Sequence, residues 1–210
     1  MGETGSRIGW NTLVTFLSRV STRVMKLAGS IVFANIAGAA ALGTLYVFMS
    51  LYRVGRRLTT LGMGPTIVTR VAEARAQDAP DETGRIVATS LAIRCLPLTV
   101  LAIGGYIFAD AVGAYVGIGN TWLYLVTTIG ATIIYSTGRA VLSGIKRVDL
   151  SSSLDVIRDI GITAAQIALI LLGFEAFGLV VGFVVGILIA AVVSLLLVLP
   201  HLDASTPSIT

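Results

Sequence analysis

Charge is what this sequence lacks. Only 12% of its 210 residues are charged, about half of the ~25% that an ordinary soluble domain carries, so too little polar surface exists to wet a globule of this size. Cysteine is nearly absent. The single Cys95 lies within an apolar run, which excludes a disulfide or a cysteine-based metal framework. Histidine is as scarce, and the lone His201 falls in the polar segment 201–210, which leaves no imidazole for chemistry inside an apolar core. The uninterrupted short apolar core of a cleavable signal peptide is missing too. The first apolar run is broken by Arg19, Arg23 and Lys26, so the first helix is expected to remain in the mature protein.

What is present is long apolar runs. Hydrophobic residues make up 55% of the chain and the mean hydropathy is +0.91. Crossing ~30 Å of hydrocarbon takes ~20 mostly apolar residues in a helix, and the pattern predicts spans near 12–36, 43–66, 86–109, 121–143, 156–173 and 177–199. The expected fold class is therefore an all-α integral membrane protein, with residues 1–200 forming one bundle of six transmembrane helices. Residues 201–210 are expected to form a cytoplasmic polar tail. Turn chemistry marks the breaks: Ala37-Gly38, Gly62-Met63-Gly64-Pro65, Gly117-Ile118-Gly119-Asn120, Gly173-Phe174 and Pro200. Pro97 falls within the third span, where neighbouring helices can absorb a kink.

Orientation follows from where cations are missing. The connections 37–43, 110–120 and 173–177 contain neither lysine nor arginine. The alternate side holds Arg7, Arg70, Arg75, Arg85, Arg139, Lys146, Arg147 and Arg158. Positive charge is retained on the cytoplasmic side, which predicts cytoplasmic N- and C-termini in a plasma membrane. Segment 67–85, with Glu73, Arg75, Asp78, Asp81 and Glu82, reads as a short surface helix and turn.

The first two spans carry cations where hydrocarbon tolerates them poorly. Arg19, Arg23 and Lys26 are spaced i, i+4, i+7 on one helix face, extended by Thr15 and Thr22. Ser50, Arg53, Arg57 and Thr60 likewise share a face, with Arg56 beside it. Counting from the turn at 37–43, Lys26 and Arg53 fall ~15–16 Å deep at ~1.5 Å per residue, and Arg23 and Arg57 ~21 Å. No aspartate or glutamate lies between Glu3 and Glu73 to neutralise them. Asp110 and Glu175 belong to the outer edge, and Asp155 and Asp159 to the inner edge of the fifth span. Intramembrane cations normally face a cavity or a partner. A wet cationic groove lined by Arg19, Arg23, Lys26, Arg53, Arg56 and Arg57 is the expectation, and arginine's planar fork suits a phosphate-bearing anion. The alternative is that Arg19, Arg56 and Arg57 snorkel to headgroups.

Other signals are structural. Gly178, Gly182 and Gly186 form a small-residue ridge on the sixth span that permits close helix packing. Trp10, Trp122 and Tyr124 read as interfacial anchors. Asn35 reads as a turn residue, and Asp155, Arg158 and Asp159 as the start of the fifth helix, where acids suit the dipole. No nucleophile–base pair or metal constellation can be assembled, so no enzyme and no cofactor is expected.

Several short signatures occur in order: Leu17-Ser18-Arg19; Ala34-Asn35-Ile36-Ala37-Gly38 leading to Leu42-Gly43; Leu61-Gly62-Met63-Gly64 followed by Arg70-Val71-Ala72-Glu73; and Gly138-Arg139-Ala140-Val141-Leu142-Ser143-Gly144. On these the chain resembles, over nearly its whole length, the N-terminal half of polysaccharide-biosynthesis (oligosaccharide) flippases, relatives of the lipid II flippases and the multidrug and toxin extruders. The resemblance implies one lobe of a two-lobe transporter with alternating access around a central cavity. It implies that Arg19, Arg23 and Arg53, helped by Lys26 and Arg57, meet the pyrophosphate of a polyprenyl-linked glycan. Two departures stand out. Thr60 occupies a position often acidic in that family, and the family has twelve to fourteen helices. The implied partners are membrane lipid, the lipid-linked glycan, and a second six-helix half or another copy, with no nucleic acid. Within the superfamily a cation or drug antiporter is the competing activity, and it would want a mid-depth carboxylate. A membrane scaffold or a gene fragment is a third reading.

Overall fold

The computed structural model describes residues 33–60, 62–77 and 79–202. Every regular element among them is helical. In chain order the helices are α1 (Ala39–Thr60), α2 (Met63–Ala76), α3 (Pro80–Ile107), α4 (Ala109–Val116), α5 (Thr121–Gly144), α6 (Val148–Leu171) and α7 (Glu175–Leu202). The expected first span lies almost wholly outside the described residues, so Arg19, Arg23 and Lys26 do too.

Among the described residues, three helical stretches are long and apolar enough to cross a membrane: Glu82–Ile107, Thr121–Gly144 and Glu175–Pro200. Helices α1 and α6, at 22 and 24 residues, match them in length. Their charges set them apart, with Arg53, Arg56 and Arg57 on α1 and Asp149, Asp155, Arg158 and Asp159 on α6. Along α3 the outward side is a continuous apolar face of Leu96 (73% exposed), Val100, Ile103 and Ile107. Such a face is unfavourable in water, and hydrocarbon is the solvent it suits.

Several boundaries differ from the sequence expectation. The polar stretch 67–85 is divided between α2 and the first turns of α3. The connection 110–120 is mostly the short helix α4, and Pro200 lies inside α7 rather than beyond it. The clearest difference is α6, which begins at Val148 rather than at 156. Ser151, Ser152 and Ser153 continue this helix because their hydroxyls find partners: Ser152 and Ser153 donate to carbonyls of the preceding turn and Ser151 pairs with Ser143 at 2.8 Å. Helix ends follow glycine. Gly173 adopts φ +85°, and the amide of Phe174 reaches back to the Leu169 carbonyl at 3.1 Å. This left-handed closure satisfies carbonyls that the helix end would orphan. Gly62, at φ +68°, likewise separates α1 from α2.

Helix α5 is the hub and touches each of α1, α2, α3, α4, α6 and α7. Its apolar side contributes Leu125, Ile129, Ile133, Val141 and Leu142 to the core. Threonines along α5 satisfy themselves on the preceding turn, as Thr128 and Thr132 do on the Tyr124 and Thr128 carbonyls. Thr132 also meets the Tyr52 hydroxyl of α1 at 2.9 Å. Removing that hydroxyl with Tyr52→Phe is expected to cost about 1 kcal/mol, read as a lower thermal midpoint in detergent, whereas an unchanged midpoint would show that the pair contributes nothing.

The α6–α7 seam is the closest helix pair. A Cβ on Gly186 would lie 2.4 Å from the Ile162 Cα, and one on Gly182 would lie 2.6 Å from the Gln166 amide nitrogen. Gln166 is buried there and donates to the Leu179 carbonyl at 2.9 Å. Gly178 faces Leu169 and Phe174 more loosely, at 3.1 Å.

Candidate functional site

The packing of α1 decides where its arginines point. Leu45, Phe48, Tyr52, Gly55 and Thr59 form the buried side. Phe48 and Tyr52 meet Phe183 of α7 edge-on, with ring centroids 6.2 and 5.3 Å away. Gly55 sits so near Ile129 that a Cβ would approach its Cδ1 to 2.6 Å. This side holds α1 on the bundle and turns Ser50, Arg53 and Arg57 outward; all three are exposed, as is Arg56. No carboxylate among the described residues pairs with Arg53, Arg56 or Arg57. Thr60, on the border of the same side, spends its hydroxyl on the Arg56 carbonyl at 2.8 Å.

The depth assigned from sequence needs correction. Because α1 starts at Ala39 rather than 43, Arg53 lies fourteen residues, about 21 Å, from its first residue and about 10 Å from its last. Arg57 occupies the final turn, where a cation is favoured by the helix dipole. The arginines thus crowd the end of α1 that leads to α2, rather than straddling its middle. Arg19, Arg23 and Lys26, the other half of the expected groove, lie outside the described residues.

A second charged group was misread in sequence. Asp155 and Asp159 do not begin their helix; they lie two and three turns inside α6, where carboxylates need partners. Asp155 accepts from Arg139 of α5 at 3.0 Å and from the Tyr135 hydroxyl, and lies 3.5 Å from Arg158. Arg158 donates to Asp159 at 2.8 Å and to the Tyr135 hydroxyl at 3.1 Å, with its guanidinium 5.3 Å from the Tyr135 ring centre. Both mid-helix carboxylates are therefore engaged by arginine. The i, i+3, i+4 spacing of Asp155, Arg158 and Asp159 was a legible signal, but the partners Tyr135 and Arg139 were not.

Arg94 went unread altogether, although a lone cation inside the third apolar run was in plain view. It is 1% exposed and the largest fully buried side chain among the described residues. Its Nη1 donates to Ser136 Oγ at 3.2 Å and Thr137 Oγ1 at 3.0 Å, both on α5. Between α2 and α3 lies an open cavity of about 450 Å³, lined on the polar side by Arg70, Glu73, Glu82, Arg85 and Ser90; Ser90 and Ile93 are its lining residues next to Arg94, which does not itself line it.

Apart from Arg94, the basic groups gather at one end of the bundle. The C-terminal ends of α1 and α5, helix α2, the N-terminal part of α3 and the α5–α6 connection carry Arg57, Arg70, Arg75, Arg85, Arg139, Lys146 and Arg147. At the other end, Asp110 and Glu175 are the charged residues around α4 and the α6–α7 turn, beside the edge-to-face ring pairs Tyr106–Trp122 and Tyr124–Phe177.

No known family model matches the chain, and no solved structure does. Over 179 residues, 85% of its length, the chain is 20% identical to a protein of Haloferax volcanii described as a probable low-salt glycan biosynthesis flippase. The chain spans about a third (36%) of that relative's length.

Proposed function

We propose that this chain forms one six-helix transmembrane lobe of a flippase that moves a lipid-linked oligosaccharide or polysaccharide precursor across the cytoplasmic membrane, with both termini in the cytoplasm. The exposed arginine side of α1 carries the reading. Arg53 and Arg57, flanked by Arg56 and joined by Arg19, Arg23 and Lys26, hold the anionic (pyro)phosphate head group, while a second lobe or a second copy closes the cavity. Like charges gathered on a helix among apolar spans repel unless an anion or water screens them. Guanidinium offers two parallel donors to phosphate oxygens, so it can hold a charged head group as apolar surfaces pass around it. The distant likeness to a glycan flippase supports the same class of cargo, and alternating access between two lobes supplies the motion. A cation-antiport activity would draw on a carboxylate that is not already engaged, and Asp155 and Asp159 are both held by arginine.

Export of a lipid-linked glycan in cells is the test. Arg53→Ala/Arg57→Ala should lower export about tenfold, the loss of about 1.4 kcal/mol of head-group contact, at unchanged protein abundance in the membrane. Export at the wild-type rate would overturn the assignment.

A further inference from the structure

Arg94 presents a problem that the α1 arginines do not. It lies at the middle of α3, fourteen residues from each of Pro80 and Phe108, shielded from solvent, and no carboxylate among the described residues approaches it. Two neutral hydroxyls share one nitrogen, Nη1, and Nε has no hydrogen-bond partner among the described residues. A buried charge left this way is costly, and an apolar residue of similar size would join α3 to α5 at least as well. An intramembrane cation of this kind points to a ligand. The unpartnered Nε lies on the edge of the guanidinium that, together with Nη2, is shaped to take two oxygens of an oxyanion.

The surroundings indicate a route. The cavity between α2 and α3 runs from Gln77 and Glu82, beside the α2–α3 turn, to Met63 and Ile93 at the other end. Ile93 is Arg94's chain neighbour, and Ser90, buried and lining the cavity, shares Arg94's helix face one turn back. We propose that Arg94, Ser90, Ser136 and Thr137 form a phosphate-binding pocket inside the bundle, entered through the α2–α3 cavity. The cavity's lining narrows the ligand class. Arg70 and Arg85 attract an anion to the mouth, while Glu73 and Glu82, lining the same cavity, repel a doubly charged one. Met63, Ile67, Ile86 and Ile93 offer an apolar wall to a hydrocarbon chain. A singly charged phosphodiester lipid headgroup fits this combination better than inorganic phosphate. The pocket is separate from the α1 arginines, and it stands whether or not those hold the glycan carrier.

Thermal unfolding of the purified full chain in neutral detergent, with phosphatidylglycerol or with inorganic phosphate added, tests the pocket. Phosphatidylglycerol should raise the wild-type midpoint by about 3 °C. Arg94→Gln should abolish the rise. So should Ser90→Leu, which narrows the cavity without touching the Arg94 hydrogen bonds and so guards against a folding defect at Arg94. Arg53→Ala/Arg57→Ala should keep it. A rise with inorganic phosphate that both pocket variants abolish would assign the same pocket to a free oxyanion. A rise that survives Ser90→Leu and Arg94→Gln, or no rise with either ligand, overturns the proposal. Loss of the rise in the α1 double variant alone would move the lipid to α1.

Discussion

Gly186→Val is expected to cost about 3 kcal/mol or more, the largest loss of stability of any single change considered for this molecule. The reason is what lies opposite. A Cβ at this position would sit 2.4 Å from both the Cα and the amide nitrogen of Ile162. Backbone cannot rotate away as a side-chain tip can, so α6 has to withdraw along the seam. Withdrawal loosens the core to which Leu154 and Ile170 of α6 and Leu179 and Val180 of α7 contribute, and it lengthens the Gln166 hydrogen bond to the Leu179 carbonyl. Within a membrane, helix pairs gain little from the hydrophobic effect and depend on close van der Waals contact through small residues, so the gap has no other compensation. Gly104→Ala is the control: nothing lies within 4 Å of its Cβ, and alanine is the better helix former. Thermal midpoints in detergent and the monodisperse fraction on size exclusion read both variants. A Gly186→Val protein as stable as Gly104→Ala would mean that α6 and α7 do not approach at this register.

Removing Asp155 is the second large effect. Its carboxylate is the shared acceptor of Arg139, Arg158 and the Tyr135 hydroxyl. Asp155→Ala leaves two guanidinium groups and a phenol facing one another. Arg158 turns to Asp159 for its remaining ion pair, but Arg139 has no other carboxylate among the described residues. Loss of one partner of a buried pair costs about 3–5 kcal/mol. Asp155 is 35% exposed and Arg139 48%, so solvent takes up part of the charge and about 2 kcal/mol is expected. Asp155→Asn keeps an oxygen for the Tyr135 hydroxyl and should lose roughly half as much. Arg139→Ala, at the exposed rim, should lose less than 1 kcal/mol. Chemical denaturation of the four proteins side by side checks the order. Equal losses for Asp155→Ala and Arg139→Ala would show that only one ion pair matters and that the network does not act as a unit.

Much of this architecture is legible in the sequence. The apolar runs at 86–109, 121–143 and 177–199 correspond to the three stretches among the described residues that are long and apolar enough to cross a membrane. Apolarity over ~20 residues is a local property and needs nothing from the rest of the chain. Breaks at Gly62, Gly117 and Gly173 were equally legible, because left-handed backbone is local too. The start of α6 was misplaced because Ser151, Ser152 and Ser153 read as a polar connection. The helix continues through them once Ser143 of α5 supplies a partner. That error carried Asp155 and Asp159 from mid-helix to a helix start, and so concealed the charged network.

The arginines divide along the same line. That Arg53 and Arg57 share a side of α1 follows from helical spacing alone. That this side faces outward is decided by Tyr52 meeting Thr132, eighty residues away, and by Phe183 of α7. Arg94 illustrates the converse. A cation in an apolar run is visible in any sequence, but its two hydroxyl partners lie 42 and 43 residues further on. The sequence by itself determined the helical, membrane-suited character of the chain, the breaks between most of its helices and the concentration of basic residues in alternate connections, since each depends on neighbours along the chain. Only the tertiary structure decided which cations find partners among the described residues and which do not. The cost of a charge depends on dielectric and on partners brought from distant segments, and no local pattern records either.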